Sequence, residues 1–246
     1  MDKKINDLLV YNTLSKSLEY FTPANNDFIG IYNCGPTLHK NHTQIGNLRS
    51  YVFADFVKRY FLYHGLAVKH VIKITDVDDH TLHECQDKKL KLNEYTKLQF
   101  DEFFSQLKQM NICDFVLLPR VTNHISEILD AIKKLTTMGL TYFANGSVYF
   151  RVDKVEDYGK LANIDKMISL KKNAQNRLKD FVLIDKENIN DFCLWKAYRP
   201  EIDGDVFWNS EFGKGRPGWH IECSVISQKY LGENFDIHIG GSSHIF

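Results

Sequence analysis

The sequence predicts an α/β protein built on a parallel sheet. Three observations carry this: an apolar run at 28–33 that ends in turn residues, a helical spacing over 49–63, and a β-branched alternating run at 67–74. Together they spell strand, turn, helix and strand, which is a βαβ unit, and such units stack into parallel sheets.

Taken in order, Phe28-Ile-Gly-Ile-Tyr-Asn33 is short and apolar, as a buried strand is, and runs into Cys34-Gly35-Pro36-Thr37. From Arg49 to Tyr63 the apolar residues Val52, Phe53, Phe56, Val57, Tyr60 and Phe61 recur at helical spacing, and Gly65 stands where a C-cap belongs. Residues 67–74 form the second strand. Parallel sheets place their ligand crevice beyond the C-terminal ends of the strands, so segments 34–47 and 75–79 are where chemistry is expected. Residues 92–112 and 123–138 carry two further helical patterns, with Pro119 between them. Asn145-Gly146, flanked by apolar runs, predicts a hairpin because both turn positions accept positive φ. Residues 153–192 read as a charged loop and 192–195 as a short apolar run. Segment 207–218 is expected to lead back to the main sheet, and 236–241 reads as a strand entering a glycine turn. The expected organisation is 1–114 for the first half of the core, 115–200 for an insertion, and 201–246 for the start of the second half.

Of the 246 residues, 43% are hydrophobic and 25% charged, a globular balance that excludes wholesale disorder. Lys plus Arg and Asp plus Glu both number 31, so the formal charge is zero and any grip on nucleic acid must come from a local patch. No stretch approaches the roughly 18 apolar residues of a membrane span. The start, Met1 to Asp7, lacks the apolar core of a secretion signal. The 5 cysteines, at 34, 85, 113, 193 and 223, include no CxxC pair and suit a reducing compartment. A cytoplasmic protein without a membrane partner is expected.

Several groups have chemical potential, each with a plainer alternative. Cys34 and Cys223 are thiol donors of the kind zinc prefers, with His220, His238 or His244 as possible companions; on their own, without a short-spacing signature, they read first as ordinary buried cysteines. Gln44-Ile45-Gly46-Asn47 opens the first helix, where free amides and the dipole attract phosphate, though Asn47 as a simple N-cap is the alternative. Asp76, Asp78 and Asp79 offer carboxylates for a metal or a ribose, or form a solvated acidic turn. His39, His42, His80 and His83 have no decisive spacing. Lys214-Gly215-Arg216-Pro217 is either a phosphate or RNA contact or an exposed basic turn.

Taken together and in order, Tyr11-Asn-Thr13, Cys34-Gly-Pro-Thr37, Ile45-Gly-Asn47, Ile74-Thr-Asp-Val-Asp-Asp79, Gly146-Ser-Val-Tyr-Phe150, Tyr158-Gly-Lys-Leu161, Lys214-Gly-Arg-Pro-Gly-Trp-His-Ile-Glu-Cys-Ser224 and Asp236-Ile-His238 resemble the cysteinyl-tRNA synthetase family. The resemblance covers essentially the whole chain from around Leu8, and the run ending at Ser224 is its most specific part. It implies the Rossmann-like, nucleotide-binding parallel sheet of class I synthetases, with a connective-peptide insertion matching 115–200. It implies ATP, carried with Mg2+, and cysteine as substrates, cysteinyl-adenylate as intermediate and tRNA(Cys) as acceptor. One Zn2+ per chain binds the substrate thiolate in that family; serine's hydroxyl is a poorer ligand, so such a site discriminates without editing. Carried over by motif, Cys34 and Cys223 are the two zinc thiolates. Cys34, Thr75, Trp219 and His238 line the cysteine pocket. Gly35, Pro36, Thr37, Gly46, Asn47, Gly240 and Gly241 adjoin ATP, and Gln44 with Asn47 occupies the catalytic phosphate-binding signature. A monomer is expected.

The sequence departs from the family pattern in four places. The signature His-Ile-Gly-His, often His-Ile-Gly-Asn, reads Gln44-Ile45-Gly46-Asn47, one residue further from Cys34; Gln44 donates a hydrogen bond but carries no protonic charge, and His42 is the nearest substitute. The glycine-rich stretch after His238 begins with Ile239, and Ser243 stands where an acid would meet the ribose. The run that supplies two further zinc ligands does not precede Phe246. A Lys-Met-Ser-Lys-Ser loop is not found; Lys166-Met-Ile-Ser-Leu170 is a chance likeness inside the insertion. The expectation is the amino-terminal portion of a cysteine–tRNA ligase, inactive or nearly so alone. The alternatives are a degenerate, non-catalytic nucleotide-binding or interaction module, and a cysteine ligase that serves an amine acceptor.

Overall fold

The computed structural model describes residues 7–24, 26–39, 43–112, 116–161, 186–187 and 190–241. Within these, the chain forms two compact units, one of residues up to 123 with 226–241, the other of 124–225.

The first unit is α/β. It opens with an antiparallel ribbon, β1 (Leu9–Asn12) and β2 (Ser17–Tyr20), whose turn is held by the Asn12 side chain: Oδ1 accepts from the Leu14 N–H at 2.9 Å and Nδ2 donates to Glu19 at 2.7 Å. The ribbon was not anticipated, because its apolar residues sit on both faces and blur the alternation. Next comes β3 (Ile29–Asn33), every residue of which is buried, as befits the middle of a parallel sheet covered on both faces. Helix α1 (Ile45–Tyr63) crosses to β4 (Val68–Ile72), giving the predicted βαβ unit, and β5 (Val116–Leu117) extends the sheet. The fourth strand, β10 (Ile237–Ile239), pairs with the other edge of β3, so the parallel order is β10-β3-β4-β5. Gly65 at φ +77° ends the crossover helix as expected. The helix begins at Ile45, earlier than its apolar spacing suggested, because its first turn is exposed and contributes no apolar rhythm.

Helix α1 also uses its faces differently from the pattern. Leu48, Tyr51, Ala54 and Phe61 face inward together with Asp55 and Lys58, whereas Val52, Phe53 and Phe56 are exposed. The buried charges are reconciled by pairing: Asp55 lies 2.6 Å from both Lys58 and Arg59. Burial alone would raise the Asp55 carboxyl, but the two cations outweigh it and hold it below the usual range. One core cluster joins Leu38, Leu48, Tyr51, Ile72, Ile74 and the α3 (Leu92–Gln109) residues Phe103 and Leu107; another joins Phe21, Ile29, Ile31 and Phe61.

The acidic segment after β4 is neither a solvated turn nor a free carboxylate cluster. Asp78 caps a further helix, α2 (Asp79–Lys88), by accepting the Thr81 N–H at 2.7 Å. Asp76 is buried and accepts from the Thr122 hydroxyl at 2.6 Å and its N–H at 3.0 Å. Burial raises its carboxyl above the ordinary range, and these hydrogen bonds act against that rise.

The second unit packs α4 (Ile125–Thr137) with an antiparallel sheet in the order β6 (Thr141–Ala144), β7 (Ser147–Phe150), β8 (Phe192–Ala197) and β9 (Gly215–Pro217). The predicted hairpin joins β6 to β7, with Asn145 at φ +46° and Gly146 at φ +78°. The expectation that 207–218 returns to the main sheet is corrected. Trp208 and Gly215 exchange backbone hydrogen bonds of 2.8 and 3.1 Å, folding the segment back as a hairpin whose second strand pairs with β8. The Lys214–Pro217 turn is corrected too: Arg216 is buried and donates to Asp203 at 2.7 Å, so it is neither an exposed basic residue nor a free anion contact. Helix α5 (Ile221–Leu231) then carries the chain towards β10.

Candidate active site

The order β10-β3-β4-β5 puts the strand that comes first in the chain, β3, between neighbours reached in opposite directions. This is a topological switch point, and its crevice opens beyond the strand C-termini. Residues 34–38 leave β3 as an extended arm pinned on both sides. The Cys34 N–H donates to the Ile239 carbonyl at 3.1 Å on the β10 side. On the β4 side the Thr75 N–H donates to Pro36 at 3.0 Å and the Leu38 N–H donates to Thr75 at 2.9 Å, which aligns Thr37 with Thr75. Gly35 is essential to this closeness, because a Cβ there would stand 1.5 Å from the Lys73 carbonyl oxygen.

The structure thereby gathers Cys34, Gly35, Pro36, Thr37 and Thr75, with His238, Gly240 and Gly241 on or just after β10. The His238 ring meets Tyr32 edge-on at 5.1 Å. Beneath the arm, the His70 Nε2 and Asn33 Oδ1 atoms lie 2.9 Å apart, both residues fully buried. Burial, helped by the Lys58 charge, pushes His70 down to about 4, so it is neutral at physiological pH. Burial also drives the Tyr51 hydroxyl upward; the nearby Cys34 thiol adds to the rise and the buried Lys73 ammonium opposes it.

Gln44, Gly46 and Asn47 stand at the start of α1, all exposed. Gln44 occupies the cap position without a side-chain capping bond, and Asn47 lies inside the first turn, so the N-cap reading of Asn47 is replaced. A Cβ at Gly46 would meet nothing within 4 Å, leaving this helix end open to solvent. His42, Ser243, His244 and the Lys166–Leu170 segment lie outside the described residues.

Trp219 and Cys223 belong to the second unit. Trp219 is exposed and stacks on His220 with ring centroids 4.3 Å apart; His220 takes a positive φ of 79° and meets Phe192 edge-on. Cys223, half-buried in the first turn of α5, donates its N–H to the His220 carbonyl at 3.0 Å. Gly218 is pressed against β8, where a Cβ would lie 1.8 Å from the Cys193 carbonyl oxygen.

A family model described as tRNA synthetases class I (C) catalytic domain matches residues 20–246. The chain belongs to that family. The cysteine–tRNA ligase of Brachyspira hyodysenteriae is 46% identical over 240 residues, covering 98% of this chain and 50% of the relative. That of Chlamydia muridarum is 43% identical over 241 residues with the same two shares. The chain thus spans about half the length of the curated relatives it matches. Among solved structures, Mycobacterium tuberculosis methionyl-tRNA synthetase in complex with methionyl-adenylate has the same fold, with a TM-score of 0.65 at 11% identity, covering 89% of this chain and 52% of that one.

Within this synthetase domain, three supporting residues escaped the sequence reading. Asp236, part of a recognised motif but given no role, uses its carboxylate to accept the Ala24 and Gly30 N–H groups at 2.6 Å each, tying β10 to the approach of β3. His70 and Lys73 look like ordinary polar positions of an alternating strand, so nothing in the spacing marks them as buried.

Cys34 and Cys223 have the chemistry of zinc donors, but among the described residues no three metal-ligating side chains gather. The described residues alone do not make a zinc site. No helix among them is long and apolar enough to cross a membrane.

Proposed function

We propose that the chain is the catalytic-domain portion of a cysteine–tRNA ligase, acting in the cytoplasm on cysteine, ATP and tRNA(Cys). The observation that carries the reading is the arm Cys34–Thr37, stitched between β10 and Thr75 at the switch point of the sheet. ATP, with Mg2+, lies over Gly35, Pro36 and Thr37 and against Gly240 and Gly241, its phosphates directed at the open amides of α1 beside Gln44, Gly46 and Asn47. Cysteine is received by Cys34, Thr75, Trp219 and His238. Its carboxylate oxygen attacks the α-phosphorus as the bond to pyrophosphate breaks, and a hydroxyl of the tRNA 3′ end then takes the acyl group from cysteinyl-adenylate, releasing AMP and a proton. The chain's part is to position the two substrates and to stabilise charge on the phosphorane with the helix-end amides and Gln44. In the same reading Cys34 and Cys223 would offer two thiolates to a zinc ion, which would stabilise the substrate thiol in its deprotonated form. In this scheme 1–114 form the first half of the core, 115–200 the connective-peptide insertion and 201–246 the return, although the compact unit extends to 225.

Cys34, Cys85, Cys193 and Cys223 are thiols rather than disulfides, in keeping with a reducing cytoplasm. Gln44 and Ile239 favour a second reading, a non-catalytic nucleotide-binding module. Calorimetric titration with cysteinyl- and seryl-sulfamoyl adenosine separates the two. The ligase reading expects the cysteinyl compound to bind at least about tenfold more tightly. Equal affinity for both would leave the nucleotide module, and no binding of either would overturn both readings.

A further inference from the structure

Of the histidines whose spacing in the sequence decides nothing, the fold brings two together. The His39 and His80 rings stand with centroids 5.3 Å apart, inclined at 40°. The backbone puts each of them there. Leu38 donates its N–H to the Thr75 carbonyl and accepts the Thr81 hydroxyl at 3.1 Å, so His39 emerges where the arm meets α2. His80 is the second residue of α2, whose start is fixed by the Asp78 cap. The start of α1 shares this corner, since Leu38 and Leu48 pack in one buried cluster. Two imidazoles and the open amides of α1 therefore meet beyond the C-terminal ends of β3 and β4. His83, one turn further along α2, pairs instead with Asp87 at 3.2 Å.

We propose that His39 and His80 form a polyphosphate-binding pair, which receives the β- and γ-phosphates of ATP and holds the pyrophosphate as it leaves. This rests on the ligase reading above and adds to it the groups that grip the departing end of the nucleotide. Gln44 offers those phosphates only a neutral amide. Imidazole offers one N–H when neutral and two when protonated, and an anion in contact with it favours the protonated form. Two rings at this separation reach different oxygens of one polyphosphate, through charge-assisted hydrogen bonds roughly twice as strong as neutral ones. A metal ion is the other ligand that an imidazole pair suits. Two donors are too few to retain one, and among the described residues no group of three ligating side chains forms. Of the carboxylates that precede His80, Asp76 is committed to Thr122 and Asp78 to the Thr81 N–H, while Asp79 is exposed to solvent.

Calorimetric titration with inorganic pyrophosphate, with a chelator present so that no metal bridges the two, tests this. The native chain should bind it with a dissociation constant below about 1 mM. His39→Gln and His80→Gln should each weaken pyrophosphate and ATP at least about tenfold, with adenosine affinity and the far-ultraviolet circular dichroism spectrum unchanged. His80→Lys keeps a cation in reach and should hold pyrophosphate within about threefold of the native affinity, a rescue that a merely structural role would not produce. His83→Gln should change nothing. A native chain that does not bind pyrophosphate, Gln variants that bind it as the native chain does, or a loss through His83 would overturn the proposal. So would a loss confined to a single-stranded oligoribonucleotide, which would give the pair to nucleic-acid phosphate. Cysteinyl-sulfamoyl adenosine carries no β- or γ-phosphate, so its binding judges the ligase reading separately: if native and Gln variants bind it alike, that reading stands whatever pyrophosphate does.

Discussion

Replacing Gly35 with alanine is the sharpest probe of the site's construction. The added Cβ would stand 1.5 Å from the Lys73 carbonyl oxygen, 2.6 Å from its carbon and 3.2 Å from Ile72 Cγ2. Two of these three atoms are backbone, so no rotamer change relieves the contact, and the C-terminal ends of β3 and β4 must separate by about 2 Å to restore ordinary packing distances. Such a shift breaks the Thr75–Pro36 and Leu38–Thr75 hydrogen bonds as well as overpacking the strand end. At about 1 kcal/mol per hydrogen bond and 1–3 kcal/mol for overpacking, the expected loss is roughly 3 to 5 kcal/mol. Gly46→Ala is the matched control: its Cβ meets nothing within 4 Å, and alanine in a helix should gain up to about 1 kcal/mol. The assay must report on the first unit. Trp195, Trp208 and Trp219 all lie in the second, so amide exchange of β3 and β4 in increasing urea is the appropriate measure. A Gly35→Ala chain within about 1 kcal/mol of the native one would refute the idea that the arm is locked by backbone contact.

Two further outcomes follow from the buried polar groups. His70 titrates at about 4 in the folded chain against 6.5 when free. Above about pH 6.5 both states are neutral and stability is full; as pH falls toward 4 only the unfolded chain takes up the proton, so stability declines by roughly 3 kcal/mol. His70→Gln should flatten this pH dependence of the first unit, and an unaltered slope would exclude His70 as its source. In the second unit, Asp203→Ala removes the carboxylate paired with the buried Arg216 guanidinium and should cost about 3 to 5 kcal/mol, read by tryptophan fluorescence in urea. Pairing Asp203→Leu with Arg216→Met should recover most of that loss; failure to recover would mean the charges themselves are needed.

The parallel sheet was legible because β3, α1 and β4 follow one another with clear periodicities and Gly65 punctuates them. The hairpin at Asn145-Gly146 was legible for a local reason, since two residues dictate its turn. What escaped depended on distant partners. The rhythm of α1 marked Phe53 and Phe56 as readily as Phe61, yet burial went to a stripe that includes Asp55 and Lys58, whose charges cancel only in three dimensions. Strand β9 was misassigned because its pairing with β8 depends on Trp208 folding back onto Gly215. The acidic run after β4 offered three similar carboxylates, and only Thr81 and Thr122 give two of them distinct tasks. For the site, motif order pointed to the Cys34–Thr37 arm, while the backbone crowding at Lys73 that makes Gly35 indispensable leaves no trace in spacing.

The carboxylate of Asp236 reaches across 206 positions of sequence to accept the Gly30 N–H. On a ribosome moving at roughly 5 to 20 residues per second, that partner emerges about 10 to 40 seconds after the strand it completes. Throughout this interval one flank of the central strand has no neighbour, and its backbone groups are available to any passing extended peptide. Nascent-chain quality control therefore matters for this domain until β10 has left the exit tunnel, and crowded or overloaded synthesis is where aggregation would begin.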